Sequence, residues 1–171
     1  MKETAVVLAI LTIGLAVSAQ QTKPEERKDE PHAGVETRGD QAMGFSHEKT
    51  THHFRLYKDG GAIEVAANDA KDTGSRDMIR MHLSHVARMF AEGNFDTPMF
   101  IHGATPPGTK AMAELRDQIK YRYEETDAGG RVRIQTSNPK ALEAVHAFLK
   151  FQITEHKTGD TLETRDQATE K

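Results

Sequence analysis

Two Gly-Gly pairs, Gly60-Gly61 and Gly129-Gly130, each lie between stretches in which apolar and polar residues alternate. Alternation with a period of two is typical of a strand with one buried face, and a glycine turn between two such stretches is a strong hairpin signal. A segment with helical periodicity follows each one: SRDMIRMHLSHVARMFAEG after the first and NPKALEAVHAFLKFQITEH after the second. The chain is therefore predicted to repeat one unit, a β-hairpin followed by a helix.

The predicted hairpins each have one apolar face, and such a face has to be covered by a second layer. We therefore predict an α+β fold: a two-layer sandwich whose mainly antiparallel sheet comes from two β-hairpin–helix repeats, with the long helices on one side. Ser75 and Asn138 are expected to cap those helices, and Pro139 suits the first helical position. Between the repeats, residues 98–102 (PMFIH) are predicted to form a short strand.

The ends of the chain differ in composition from its middle. The apolar run AVVLAILTIGLAV is shorter than the roughly 20 residues that span a bilayer. With small or apolar residues at Val17 and Ala19, it predicts a cleavable signal peptide at residues 1–19, and hence a periplasmic or secreted protein that is free of the membrane after cleavage. Residues 20–42 and 157–171 are polar and charged, so they are predicted to be a disordered linker and tail. The α+β domain is predicted at residues 43–156.

Composition excludes several classes of function. The chain has no cysteine, which removes disulfides, thiolate catalysis and cysteine-ligated zinc. A net charge of −3 gives no reason to expect a nucleic-acid partner. No catalytic residue is assigned either, because His47 and His52 are spaced wrongly for a helical zinc-protease motif and no nucleophile elbow surrounds Ser46.

A stripe of imidazole and thioether side chains runs along the first predicted helix, beside its apolar core face. Residues three and four apart on a helix lie about 5–6 Å apart at Cβ, close enough for two side chains to hold one ion. Imidazole binds several transition metals, whereas thioether sulfur favours Cu(I), so the pattern indicates copper rather than zinc. The stripe consists of Met78, His82, His85 and Met89.

Other parts of the chain supply further ligands. Alternation along the first strand turns His52 toward the helix layer, with Phe54, and turns His53 the other way. A purely structural role competes with metal binding, since methionine beside a core stripe usually fills space and a helical histidine at the core edge is usually hydrogen bonded. The predicted metal site consists of His52, His82 and His85, completed by Met43, Met89 or His102.

The outer face of the predicted sheet carries a group of basic side chains. The simpler interpretation is a solvated surface balanced by Glu64 and Glu124. The alternative is a metal-free interaction module, in which this surface binds a small anionic ligand or forms a homodimer. A histidine-dependent enzyme has less support. The basic residues are Arg55, Lys120, Arg122, Arg131 and Arg133.

Several stretches, MGFSHEKTTHHF, GGAIEV, RMHLSH, PMFIH and GGRVRIQT…AVHAFLKFQITEHKTGD, resemble a group of small exported bacterial proteins. The resemblance covers essentially the whole predicted domain and implies export. Members of this group sometimes carry an aspartate carbamoyltransferase label. This chain has neither the Ser-Thr-Arg-Thr type loop that holds carbamoyl phosphate at a helix N-terminus nor the length for two doubly wound domains, so the resemblance supplies no catalytic residues.

Overall fold

The computed structural model describes residues 33–166. The predicted signal peptide at residues 1–19 lies outside the described residues, as do residues 20–32 and 167–171. Short 3₁₀-helices at His47–Lys49 and Arg116–Gln118 precede the two hairpins. The main elements are α1 (Ala33–Met43), β1 (Thr50–Tyr57), β2 (Gly60–Ala67), α2 (Thr73–Ala91), α3 (Asp96–His102), α4 (Thr109–Glu114), β3 (Ile119–Thr126), β4 (Gly129–Thr136) and α5 (Pro139–Glu155).

The predicted fold class is confirmed. The strands form one four-stranded antiparallel sheet in the order β1-β2-β4-β3, so the two hairpins join through β2 and β4. Helix α2 packs on β3 and β4, and α5 packs on β1 and β2. The core lies between these helices and the sheet. Its most deeply buried apolar side chains are Leu56, Ile79, Leu83, Met112, Val132, Ile134, Val145, Phe148 and Leu149.

The first hairpin requires glycine directly after its turn, at the first position of β2. Gly60 has a φ of +143°, a backbone conformation that other residues rarely adopt. A Cβ at this position would also overlap the carbonyl oxygen of Ile134 on β4. β2 and β4 can therefore approach this closely only because Gly60 has no side chain.

The two long helices begin with side-chain caps, one at the predicted residue. Asn138 Oδ1 accepts hydrogen bonds from the backbone N–H groups of Lys140 and Ala141 at 2.8 and 3.1 Å, with Pro139 in the first turn as predicted. The predicted cap of α2 was wrong by three residues. Asp72 is the cap, and it accepts from both the N–H and the hydroxyl of Ser75 at 2.9 and 2.8 Å.

Residues 98–102 form part of helix α3, so the predicted strand there was wrong. Pro98 lies in the first turn of α3, where proline is tolerated because the N–H groups of that turn have no helical acceptor. Gly103, with a φ of 63°, ends the helix in the left-handed conformation. A short apolar run does not distinguish a strand from a buried helical turn.

The predicted disordered linker also needs correction, because helix α1 occupies its last ten residues and ends at Met43. Val35 is buried, and the Arg38 side chain donates from Nε to the Ile101 carbonyl oxygen of α3 at 2.7 Å. The contacts between α1 and α3 stabilise a helix whose own composition is too polar to predict one. The ordered part of the chain therefore begins before residue 43.

The predicted disordered tail is ordered as far as residue 166, where it runs along the free edge of β1. The Arg165 N–H donates to the Leu56 carbonyl oxygen at 2.9 Å. Asp160 has a side chain only 4% exposed and accepts from the Phe54 N–H, Arg55 Nη1 and His53 Nδ1, each at 2.9 Å. Burial alone would raise the pKa of Asp160, but these hydrogen bonds and that from Thr158 lower it.

Replacing Asp160 with alanine should destabilise the fold by about 2 kcal/mol, because it leaves the Phe54 N–H and Arg55 without this acceptor. Urea denaturation at pH 7 measures the loss. Glu163→Ala is the matched control, since Glu163 is exposed in the same segment. Equal stability of the two variants would mean that the hydrogen bonds to Asp160 contribute nothing to the stability of the fold.

Candidate functional site

Four histidines and one methionine from five parts of the chain line a single cavity between the sheet and the helices. The cavity has a volume of about 70 Å³, and apart from these side chains its lining is almost entirely apolar. The strand β1 and the helices α1, α2, α3 and α5 each bring one of these residues, in the case of α5 the residue that follows its end. This space, the histidine cavity, is defined by Met43, His52, His82, His102 and His156.

The rings of three of these histidines form a continuous group. His52 and His156 lie almost parallel, with an interplanar angle of 9° and centroids 6.1 Å apart. His102 stands nearly perpendicular to His156, with centroids 5.1 Å apart. Phe45 separates His82 from this group: its ring lies 6.3 Å from that of His52 and 5.7 Å from that of His82.

These imidazoles are neutral at physiological pH. Burial, with a smaller contribution from His82, lowers the pKa of His52 to about 4. Burial also lowers the pKa of His82 to about 4, with a smaller contribution from His85. His156 has a pKa of about 3, because burial acts together with His52 and His102. A neutral imidazole has a free lone pair, which is the form that binds a metal ion.

The rings of His52, His82 and His156 make no hydrogen bond to any described residue. This distinguishes them from the described histidines elsewhere in the fold, which all have hydrogen-bond partners, in most cases acidic or carbonyl groups. The nitrogens of these three rings are not completely buried, so they stay accessible to a ligand. The histidines with acidic or backbone carbonyl partners are His47 with Asp40, His53 with Asp160, and His146 with the carbonyl oxygens of Tyr57 and Gly60, all at 2.9–3.0 Å.

The structure brings together four of the six residues predicted as metal ligands. His52, His82, His102 and Met43 line the histidine cavity, but His85 and Met89 do not. His85 is exposed, and its Nδ1 accepts a hydrogen bond from Arg88 Nη2 at 2.8 Å. Met89 is partly buried and packs against the hydrophobic core.

His156 was missed by the sequence analysis, although it lies within the predicted domain. It follows the end of α5 and is four residues after Gln152, so both side chains lie on the same face of the helix end. That spacing was the available signal. The spacing alone could not identify His156 as a site residue, because nothing in the sequence showed which face of α5 lies toward α2 and β1.

The cavity is not a preformed metal centre in its present side-chain arrangement. Within residues 33–166, no three histidine, aspartate or glutamate side chains have the spacing to hold one ion. Two or more imidazoles would have to turn about their side-chain torsions to share a metal. The apolar cavity between them provides room for that movement.

The basic side chains predicted on the outer sheet face are largely occupied. Arg131 donates to Glu124 at 2.6 Å and to Glu64 at 3.4 Å, which confirms the simpler prediction of a surface balanced by these two glutamates. Arg122 also contacts Glu124, at 2.6 Å. Arg55 contacts Asp160. Lys120 is exposed at the free edge of the sheet.

Arg133 does not project into solvent as predicted. Its side chain is fully buried and lies across the glycine turn, with the guanidinium 4.7 Å from the centre of the Tyr57 ring. It donates to the Gly61 carbonyl oxygen at 2.8 Å and to the Asp59 carboxylate. Arg133 therefore has a structural role, because it links β4 to the first hairpin.

Comparison of the chain with protein-family models, curated proteins and solved structures gives no significant match. Over residues 33–166, no helix combines the length and the apolar character needed to cross a membrane.

Proposed function

We propose that the protein binds a transition metal ion in the histidine cavity, and that the ion is copper as Cu(I) rather than zinc. The observation that carries the proposal is the set of three neutral imidazoles, His52, His82 and His156, that face one cavity without a hydrogen-bond partner among the described residues. A metal ion could bind these ring nitrogens without displacing a hydrogen bond to another described residue.

Ligand chemistry favours Cu(I) over Zn(II). Structural zinc sites use four ligands in tetrahedral geometry, and residues 33–166 do not bring three histidine or carboxylate groups to one point. Cu(I) is stable with fewer ligands and accepts thioether sulfur, which Met43 supplies at the cavity wall. A monovalent ion also loses less hydration energy than a divalent one on entering an apolar cavity.

The alternative functions have less support from the geometry. An anion-binding or homodimeric surface on the outer sheet face would have to recruit arginines that already contact Glu64, Glu124 or Asp160. A histidine-dependent enzyme needs a carboxylate to orient the base, whereas the unpartnered rings of the cavity have none within hydrogen-bond distance. Both remain predictions from the sequence.

Titration with Cu(I) under anaerobic, reducing conditions tests the proposal through the thermal midpoint of the purified protein. Ligand at about 1,000 times the dissociation constant stabilises the native state by about 4 kcal/mol, which raises the midpoint by several degrees. Zn(II) at the same concentration should produce a smaller rise. An unchanged midpoint with Cu(I), or an equal rise with Zn(II), would contradict the proposal.

The pH dependence of binding provides a second criterion. A site of ordinary exposed histidines loses metal as the pH falls below about 6.5. His52 and His82 have pKa values of about 4 and His156 of about 3, so Cu(I) affinity at pH 5.5 should stay close to its value at pH 7. Competition with a Cu(I) chelator of known affinity measures this directly.

A further inference from the structure

One side of the histidine cavity is formed by a pair of side chains from two different helices. His102 is the last residue of α3, and Gln152 lies in the last turn of α5. His102 Nε2 and Gln152 Oε1 are 3.1 Å apart, within hydrogen-bond distance. Gln152 is only 4% exposed.

Each member of this pair has a second polar atom without a partner. His102 Nδ1 and Gln152 Nε2 are buried and make no hydrogen bond within residues 33–166. Both residues line the histidine cavity. Polar atoms buried in this way are rare in folded proteins, and here they lie beside the unpartnered rings described above.

We propose that His102 is a further metal ligand, bound through Nδ1, and that Gln152 is the residue that positions it. This inference rests on the proposed metal-binding function and assigns one more ligand to the same cavity. Gln152 would not contact the metal. It would act by orienting the His102 ring.

The direction of the hydrogen bond decides which nitrogen is free. An amide oxygen can only accept, so His102 Nε2 must carry the proton when it faces Gln152 Oε1. In a neutral imidazole the other nitrogen, Nδ1, then has the lone pair. Ligating histidines commonly donate their second ring N–H to a carbonyl or carboxylate oxygen, which fixes tautomer and orientation.

Packing holds the ring in this orientation. The ring of Phe151 lies 4.8 Å from that of His102 at an interplanar angle of 68°, and the ring of His156 lies 5.1 Å away. Phe151 and Gln152 are consecutive residues of α5, so the same helix end supplies both the hydrogen bond and the packing. The ring of His102 is therefore held beside that of His156.

Nitrogen NMR of the metal-free protein tests the positioning, with the His102 signals assigned from a His102→Gln variant. Wild-type protein should show the tautomer protonated at Nε2. Gln152→Glu keeps an acceptor and should preserve this tautomer, whereas the apolar Gln152→Met should lose the preference. A wild-type His102 protonated at Nδ1 would overturn the inference, whether or not the protein binds Cu(I).

Cu(I) affinity of the same variants tests the ligand. Loss of a residue that orients a metal ligand typically weakens metal binding by about 10–100-fold. Gln152→Met and His102→Gln should each weaken Cu(I) binding by at least about tenfold. Gln152→Glu should keep the Cu(I) affinity within about tenfold of wild type. Equal affinity of wild type and Gln152→Met would overturn the role of Gln152.

Two results separate this inference from the proposed function. If neither wild type nor any variant binds Cu(I), the proposed function fails and the ligand role of His102 fails with it. If wild type binds Cu(I) and His102→Gln binds it equally well, only the inference fails. Urea midpoints of the metal-free variants show whether each one folds. If Gln152→Met does not fold, Gln152→Glu and His102→Gln still test the inference.

Discussion

Stability should fall steeply as the pH is lowered from about 6.5 toward 4. In the unfolded chain His52, His82 and His156 titrate near 6.5, but in the native state their pKa values are about 4, 4 and 3. The unfolded state therefore binds more protons in this window. Stability is complete above about 6.5 and is lost as the pH falls toward the native values. A histidine shifted this far costs about 3 kcal/mol when the loss is complete.

Other groups act outside this window or against it. Asp59, Glu124 and Asp160 also have lowered pKa values, but carboxylates affect stability only below about pH 5. His47 acts in the opposite direction, because its hydrogen bond to Asp40 raises its pKa and its protonation stabilises the fold. The range from pH 6.5 to 5 therefore reports mainly on the histidines of the cavity.

Urea denaturation of the metal-free protein at closely spaced pH values measures this dependence. His156→Leu should reduce the slope of unfolding free energy against pH by up to one proton, since the variant has no imidazole to protonate on unfolding. His85→Gln is the matched control, because His85 is exposed. A wild-type slope near zero between pH 6.5 and 5 would show that the cavity histidines titrate normally.

The sheet could be predicted because its signals are local. Alternation along each strand shows which face is buried. The turns that come directly before Gly60 and Gly129 determine which residues of the two strands pair. Both long helices followed from the same reasoning, since their apolar residues recur with helical spacing. The joining of the hairpins through β2 and β4 was not predicted, because alternation within one hairpin does not show which of its strands pairs with the other hairpin.

The elements that could not be predicted depend on distant contacts. Helix α1 is polar, and its order comes from contacts with α3 such as the hydrogen bond from Arg38 to Ile101. Residues 157–166 are held by Asp160 and by pairing with the edge of β1. In both cases contacts with residues far along the chain hold the segment in place, and average composition does not show such contacts.

The candidate site shows the same division between local and distant information. Period-two alternation placed His52 correctly on the inner face, and helical spacing placed His82 beside the core. Helical spacing also selected His85, because it shows that His82 and His85 lie on neighbouring parts of the helix surface. It does not show which of the two faces the sheet. Positions three apart differ by about 60° around a helix, and this rotation leaves His85 in solvent.

Substitutions inside and outside the histidine cavity should give the second large effect. His52→Ala combined with His156→Ala should lower Cu(I) affinity by at least about a hundredfold, because it removes both rings of the stacked pair. His85→Gln combined with Met89→Leu, which alters only the residues that lie outside the cavity, should leave affinity within about threefold. Competition with a Cu(I) chelator measures both, after the urea midpoint has confirmed that each variant folds.

Met43→Leu separates the thioether from the imidazoles within the same experiment. Leucine keeps a similar apolar volume at the cavity wall but provides no soft ligand. Cu(I) affinity should therefore fall while the weaker Zn(II) affinity stays the same, since zinc rarely uses thioether sulfur. If the pair His85 and Met89 proved necessary and His52 and His156 did not, the metal would bind on the solvent side of α2, and the buried imidazoles would have to be explained as packing alone.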